Sequence, residues 1–128
     1  MTRPRHLEVE RRDGRLTPVS DTEQIRVIVV PAGAEAEVRV VDSNVEVLQQ
    51  LVGGYFEEVV LDAEMIAMCN EDGLALKLPK NERVGLPPFV GDFIVGRFDR
   101  TTGDLVSMTD ADVARWLTQL ALGETLLN

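Results

Sequence analysis

Short apolar or alternating stretches recur along the chain, and their spacing predicts β-strands. Residues 25–30 (IRVIVV) are β-branched and apolar, as expected of a central strand. Residues 37–41 alternate and place Val38 and Val40 on one face, which predicts a partner strand. The other predicted strands are residues 55–61, 65–69, 74–78, 93–98 and 105–108.

The turn signals divide these strands. Asp72-Gly73 lies between two apolar stretches and is typical of a β-hairpin, whose returning strand would be residues 74–78. Prolines and a glycine interrupt residues 79–88, which predicts a loop. A second turn is predicted over residues 99–104, followed by a returning strand at residues 105–108.

Helical spacing predicts a first helix that begins at Ser43. Ser43 and Glu46 have the spacing of a capping box, in which each side chain bonds a free backbone N–H. Gly53 and the glycine after it supply the end of the helix, because glycine tolerates the left-handed cap conformation. The apolar stripe of this helix is Val45, Leu48, Leu51 and Val52.

A second helix is predicted to begin at Thr109. Asp110 and Asp112 suit the positive end of its dipole, and Gly123 is expected to end it. Leu126 and Leu127 would then lie beyond the helix and could contact a second copy of the chain, so a homodimer is one expectation. The apolar face of the helix is Val113, Trp116, Leu117 and Leu120.

The order of these elements predicts an α+β domain with a mostly antiparallel sheet and helices on one face. Its β-β-α-β start is similar to a β-grasp, and a hairpin and a helix follow at the C-terminal end. Residues 1–24 are predicted to be a partly ordered basic leader, with strand-like stretches at residues 6–10 and 16–19, and residues 25–128 a single acidic domain.

Charge and composition narrow the chemistry. The net charge is −9; residues 1–20 hold five arginines and three acids (+2), and residues 21–128 hold eight bases and nineteen acids (−11). This body should repel phosphate backbones, so nucleic-acid binding is not expected. The chain has one histidine, His6, and one cysteine, Cys69. A disulfide within the chain is therefore excluded, and so are the usual zinc sites built from several His and Cys ligands. No membrane span or secretory signal is seen, which predicts a cytoplasmic protein.

Several motifs in order resemble one protein family. They are residues 48–57 (LQQLVGGYFE), 69–74 (CNEDGL), 78–81 (LPKN), 91–96 (GDFIVG) and 105–110 (LVSMTD). Together they resemble domain of unknown function 3846, over about residues 25–118. The resemblance implies a small protein of a phage, plasmid or Gram-positive bacterium, located in the host cytoplasm if phage-encoded. It implies no activity and no catalytic residues.

Polar and aromatic residues in these motifs are the candidate contacts: Tyr55, Glu57, Asn70, Glu71 and Asn81. Tyr55 either anchors a partner or covers the core with its hydroxyl in water. Asn81 either bonds the backbone of its loop or contacts a ligand.

We therefore expect a non-enzymatic accessory protein that binds a host or partner protein, without cofactor, metal or catalytic residues. One form of this hypothesis is imitation of DNA by the acidic surface. The alternative is a small-ligand-binding or enzymatic domain whose pocket lies near Tyr55, Glu57, Asn70 and Asn81.

Overall fold

One antiparallel sheet lies between two helices in the computed structural model, which describes residues 23–127 and the side chains of residues 23–121. The helices are α1 (Val45–Val52) and α2 (Asp110–Leu127). The strands are β1 (Gln24–Val30), β2 (Glu37–Asp42), β3 (Phe56–Val60), β4 (Met65–Asn70), β5 (Lys80–Asn81), β6 (Phe89–Val90), β7 (Phe93–Phe98) and β8 (Leu105–Val106).

The strand order is β2-β1-β7-β4-β3, with β8 also paired to β7, and β5 and β6 form a separate pair. Every pairing is antiparallel. The predicted α+β class, with a mostly antiparallel sheet and two helices, is confirmed. The β-β-α-β order is present along the chain, but β1 has β2 and β7 as neighbours, so this segment forms no sheet of its own.

The two helices cover opposite faces of the sheet. On β1, Val27 and Val29 belong to the core cluster that contains Leu48 of α1. The intervening Ile28 belongs to the cluster that contains Trp116 of α2. The expectation that both helices share one face is therefore wrong. A strand that is apolar on both faces needs cover on both sides.

The start of α1 lies one residue later than predicted. Asn44, not Ser43, is the N-cap, and its side chain accepts a hydrogen bond of 2.9 Å from the backbone N–H of Val47. Ser43 instead donates its backbone N–H to the carbonyl of Glu23, in continuation of the β1–β2 ladder. The predicted end is confirmed, because Gly53 is the C-cap with φ of 83°.

The start of α2 at Thr109 is also confirmed. Thr109 donates its backbone N–H to the Asp112 carboxylate, and the Thr109 hydroxyl accepts from the backbone N–H of Asp112. The predicted end at Gly123 is wrong, because the helix continues to Leu127. A glycine inside a helix costs only about 1 kcal/mol relative to alanine, which neighbouring turns can offset. Leu126 and Leu127 therefore lie within α2.

The predicted strand at residues 74–78 is also wrong. Residues 74–77 form turns after β4, and residue 78 belongs to no strand. A returning strand needs a free edge of β4 to pair with, but β4 already lies between β3 and β7. The apolar residues of this stretch are therefore left outside the sheet.

The predicted leader lies outside the described residues except for Glu23 and Gln24, the second of which begins β1. Its predicted strands at residues 6–10 and 16–19 therefore stay predictions. Within the described part of the chain, neither helix has an apolar stretch long enough to cross a membrane.

Candidate functional site

The pairing of β3 with β4 brings together four of the five predicted contact residues. Glu57 on β3 lies opposite Cys69 on β4, next to the end of that strand at Asn70. Glu71 follows β4 and donates its backbone N–H to the carbonyl of Tyr55 at 3.0 Å. Tyr55, Glu57, Asn70 and Glu71 therefore lie at one end of this strand pair.

Asn70 supports the fold at this end. Its side chain is buried, and its Nδ2 donates to the carbonyl of Val52 at 3.1 Å, which satisfies one of the free carbonyls at the end of α1. Its Oδ1 accepts from the backbone N–H of Asp72 at 2.7 Å. A Cβ atom at Gly54 would lie 3.2 Å from this Nδ2, so the second glycine allows the amide to approach.

Asn81 does not join this group. It is 3% exposed, and its Nδ2 donates to the carbonyls of Val30 at 2.9 Å and Gly91 at 2.8 Å. Its Oδ1 accepts from Nε of Arg83 at 3.1 Å. Of the two roles considered for Asn81, the structure shows the backbone role.

Arg83 is a buried residue that sequence reasoning did not identify. Its guanidinium donates to the carbonyls of Pro31 at 3.0 Å and Ala34 at 2.9 Å, in the connection between β1 and β2. Together with Asn81 it holds the loop after β5 against that connection. Each of these hydrogen bonds joins residues about fifty positions apart, so no local sequence pattern could have predicted it.

Glu57 lies beside the single cysteine. Sγ of Cys69 donates to Oε2 of Glu57 at 3.8 Å. Burial raises the pKa of the Cys69 thiol to about 11, and the charge and hydrogen bond of Glu57 act in the same direction. The thiol is therefore protonated at neutral pH, which is the opposite of what a nucleophilic cysteine requires.

Residues 71–78 form a turn segment, here called the leucine loop, that displays apolar side chains. Leu74 is 82% exposed and Leu76 is 58% exposed. Tyr55, joined to this loop by the Glu71 hydrogen bond, is 67% exposed and so does not cover the core. These three exposed side chains belong to two segments, residue 55 and the leucine loop, whose backbones meet at the end of β3 and β4.

The leucine loop is held by its own backbone hydrogen bonds. Leu76 donates to the carbonyl of Asp72 at 2.9 Å, and Leu78 donates to that of Gly73 at 3.0 Å. A Cβ atom at Gly73 would lie 2.5 Å from Cγ2 of Val90, so the loop packs directly on β6. Lys77 has φ of 60°, in the left-handed region that favours glycine.

An open groove of about 620 Å³ lies elsewhere, beside the turn between β7 and β8. Arg97 on its wall is already paired, at 2.8 Å with Glu64 and at 2.8 Å with Asp112 of α2. Hydrogen bonding to Asp112 is the main reason why the pKa of Arg97 is raised. The groove is lined by Glu64, Arg97, Phe98, Asp99, Arg100, Thr101 and Val106.

The described part of the chain contains no cluster of side chains that could bind a metal ion. No three His, Cys, Asp or Glu side chains come together there in a way that could hold an ion. The candidate site is taken as the exposed side chains of Tyr55, Leu74 and Leu76.

The fold and this site define the class as a small α+β domain, in which a helix lies on each face of an antiparallel sheet. A family model described as Domain of unknown function (DUF3846) matches residues 25–121, and the chain belongs to that family. The resemblance predicted from the motifs is thereby confirmed. No curated protein and no solved structure matches the chain.

Proposed function

We propose that this protein is a non-enzymatic accessory protein that binds a partner protein through Tyr55, Leu74 and Leu76. The observation that carries the proposal is the display of Leu74, 82% exposed, on a hydrogen-bonded loop. Large apolar side chains gain about 25 cal/mol per Å² when a partner removes them from water. Aromatic and apolar anchors of this kind supply much of the affinity at protein interfaces.

The backbone hydrogen bonds within the leucine loop support the proposal. A loop that is already ordered loses little conformational entropy on binding, so more of the apolar gain appears as affinity. The left-handed backbone of Lys77 also supports a binding role for this loop, because strained residues cluster at ligand-binding sites and switch regions.

The phage or mobile-element setting implied by the family resemblance extends this proposal. In that setting the partner is a host protein, and the chain acts in the host cytoplasm. The net charge of −9 favours a protein partner over a nucleic acid. Imitation of DNA by the acidic surface is a narrower form of the proposal, and it would use carboxylates in place of the leucine loop.

The test uses the full chain as bait in a lysate of a Gram-positive host. Bait with Leu74→Ser and Leu76→Ser should lose a protein that the wild type captures. Val60→Thr is the matched control, because Val60 is 67% exposed on β3 and should leave capture unchanged. With the partner purified, the double substitution should weaken binding at least about thirtyfold, corresponding to about 2 kcal/mol. Equal capture by all three baits, or by none, would overturn the proposal.

The alternative, a ligand pocket near Tyr55, Glu57, Asn70 and Asn81, stays a prediction. A thermal-shift screen with nucleotides and divalent metals tests it. Asn70 and Asn81 are poor probes, because both amides hold backbone groups. Glu57→Gln is the better probe: stabilisation of the wild type by a ligand, lost in this variant, would favour the pocket.

A further inference from the structure

Strand β2 forms one edge of the sheet, and its first four residues, 37–40, are all exposed. It pairs with β1 on one side only. Among the described residues, no other element pairs with its outer side. An exposed edge strand presents a row of unpaired N–H and C=O groups that can extend a sheet.

The side chains of this edge are complementary to themselves. In an antiparallel pair related by a two-fold axis perpendicular to the sheet, facing residues must point to the same side. An axis midway between the two copies of Val38 places Glu37 opposite Arg39 of the second copy, and Arg39 opposite Glu37. It also places Val38 opposite itself and Ala36 opposite Val40.

The neighbouring registers are less favourable. An axis between two copies of Glu37, or between two copies of Arg39, places like charges opposite each other, which is destabilising. An axis between two copies of Val40 places Val38 opposite Asp42 and offers no oppositely charged pair. The register centred on Val38 is therefore favoured, because it has an apolar Val38–Val38 contact at its centre and an oppositely charged pair on each side.

The residues of this register are free to contact a second copy. Glu37 and Arg39 have no ion-pair partner among the residues that the structure describes. Val38 is 38% exposed and Val40 is 62% exposed, on the face of the sheet that α2 covers further along. Pairing would bury both valines.

We infer that β2 pairs with β2 of a second copy of this chain, in a symmetric dimer whose sheet continues from one copy to the other. The two-fold axis passes midway between the two copies of Val38, and Glu37 of each copy pairs with Arg39 of the other. This inference does not rest on the proposed function, since the leucine loop follows β4, three strands away from β2.

The experiment measures the molar mass of the full chain by sedimentation equilibrium from micromolar to millimolar concentration. We expect the mass to rise from 14.2 kDa toward twice that value. Glu37→Arg and Arg39→Glu should each weaken the dimer about tenfold, corresponding to about 1.4 kcal/mol, because each turns two attractive pairs into repulsive ones. The double variant Glu37→Arg with Arg39→Glu should restore the dimer, because the charges are exchanged.

Three outcomes would overturn the inference. The wild type could stay at 14.2 kDa at millimolar concentration, as it would if residues 1–22 covered the edge. A dimer could ignore both single charge reversals, which would place the contact elsewhere, for example at Leu126 and Leu127. The double variant could also remain monomeric, which would show that the single variants weaken the dimer for a reason other than loss of the Glu37–Arg39 pairs. Melting temperatures of the exposed-site variants at low concentration check that each one is folded.

Discussion

Two buried asparagine side chains hold backbone groups that secondary structure leaves free. Asn70 bonds a carbonyl at the end of α1, and Asn81 bonds carbonyls at the end of β1 and after β6. A buried polar group without a partner is costly, so each of these amides is part of the fold.

Asn70→Ala should lower the free energy of unfolding by about 1–3 kcal/mol, because it leaves the carbonyl of Val52 buried and unpaired. Urea denaturation measures the change. Glu71→Ala is the control, since Glu71 is the exposed neighbour, and it should change stability by less than about 0.5 kcal/mol. Equal effects of the two substitutions would contradict this account of Asn70.

Sequence analysis identified Asn70 and Asn81 as candidate residues, but it did not establish what each of them bonds. Asn70 and Asn81 stand out as polar residues in matched motifs. The bond from Asn81 to Val30 spans 51 positions, so no local pattern contains it. Arg83 lies in a loop between proline-containing stretches and carries no local signal of burial in the sequence, yet it is 6% exposed.

The start of α2 is anchored by hydrogen bonds to Thr109 and by an ion pair with Arg97. Burial alone would raise the pKa of Asp112. Hydrogen bonds from Thr109 and Arg97, together with the positive charge of Arg97, outweigh it and lower the pKa. The carboxylate thus caps α2 and ties it to β7 through Arg97, with Nη1 of Arg97 2.8 Å from Oδ2 of Asp112.

Asp112→Asn should cost about 1 kcal/mol at neutral pH, because the charge that suits the helix start and Arg97 is lost. The folded pKa of Asp112 lies below its ordinary 3.8, so this stabilisation is present above that value and is lost as the pH falls through the folded pKa. Urea denaturation at several pH values should therefore show the wild type and variant converging below about pH 4. A constant difference at all pH values would contradict the assignment.

Elements set by local signals were predicted well, and elements set by distant pairing were not. The run at residues 25–30 and the cap at Gly53 carry their own signals, and both are present. Residues 74–78 have a strand-like pattern, but β4 has no free edge for them. The placement of the helices was a missed signal instead, because the continuous apolar run of β1 already indicates that both faces of the sheet need cover.

For the molecule as a whole, the two proposed contact surfaces lie on different parts of the sheet. The β2 edge is suited to a second copy of the chain, and the leucine loop, after β4, to another protein. A dimer formed through β2 would leave both leucine loops free, so one assembly could hold two partners. Two linked sites raise the effective affinity for a partner that is itself repeated or clustered.

The central claim is that Leu74 and Leu76 serve binding rather than folding. The most direct measurement is the free energy of unfolding of the Leu74→Ser, Leu76→Ser double variant by urea denaturation. We predict a change of less than about 0.5 kcal/mol per site, as for exposed positions. Leu48→Ala in the core should cost about 2–5 kcal/mol in the same assay. A loss of that size in the double variant would show that the two leucines hold the fold together, and would contradict the claim.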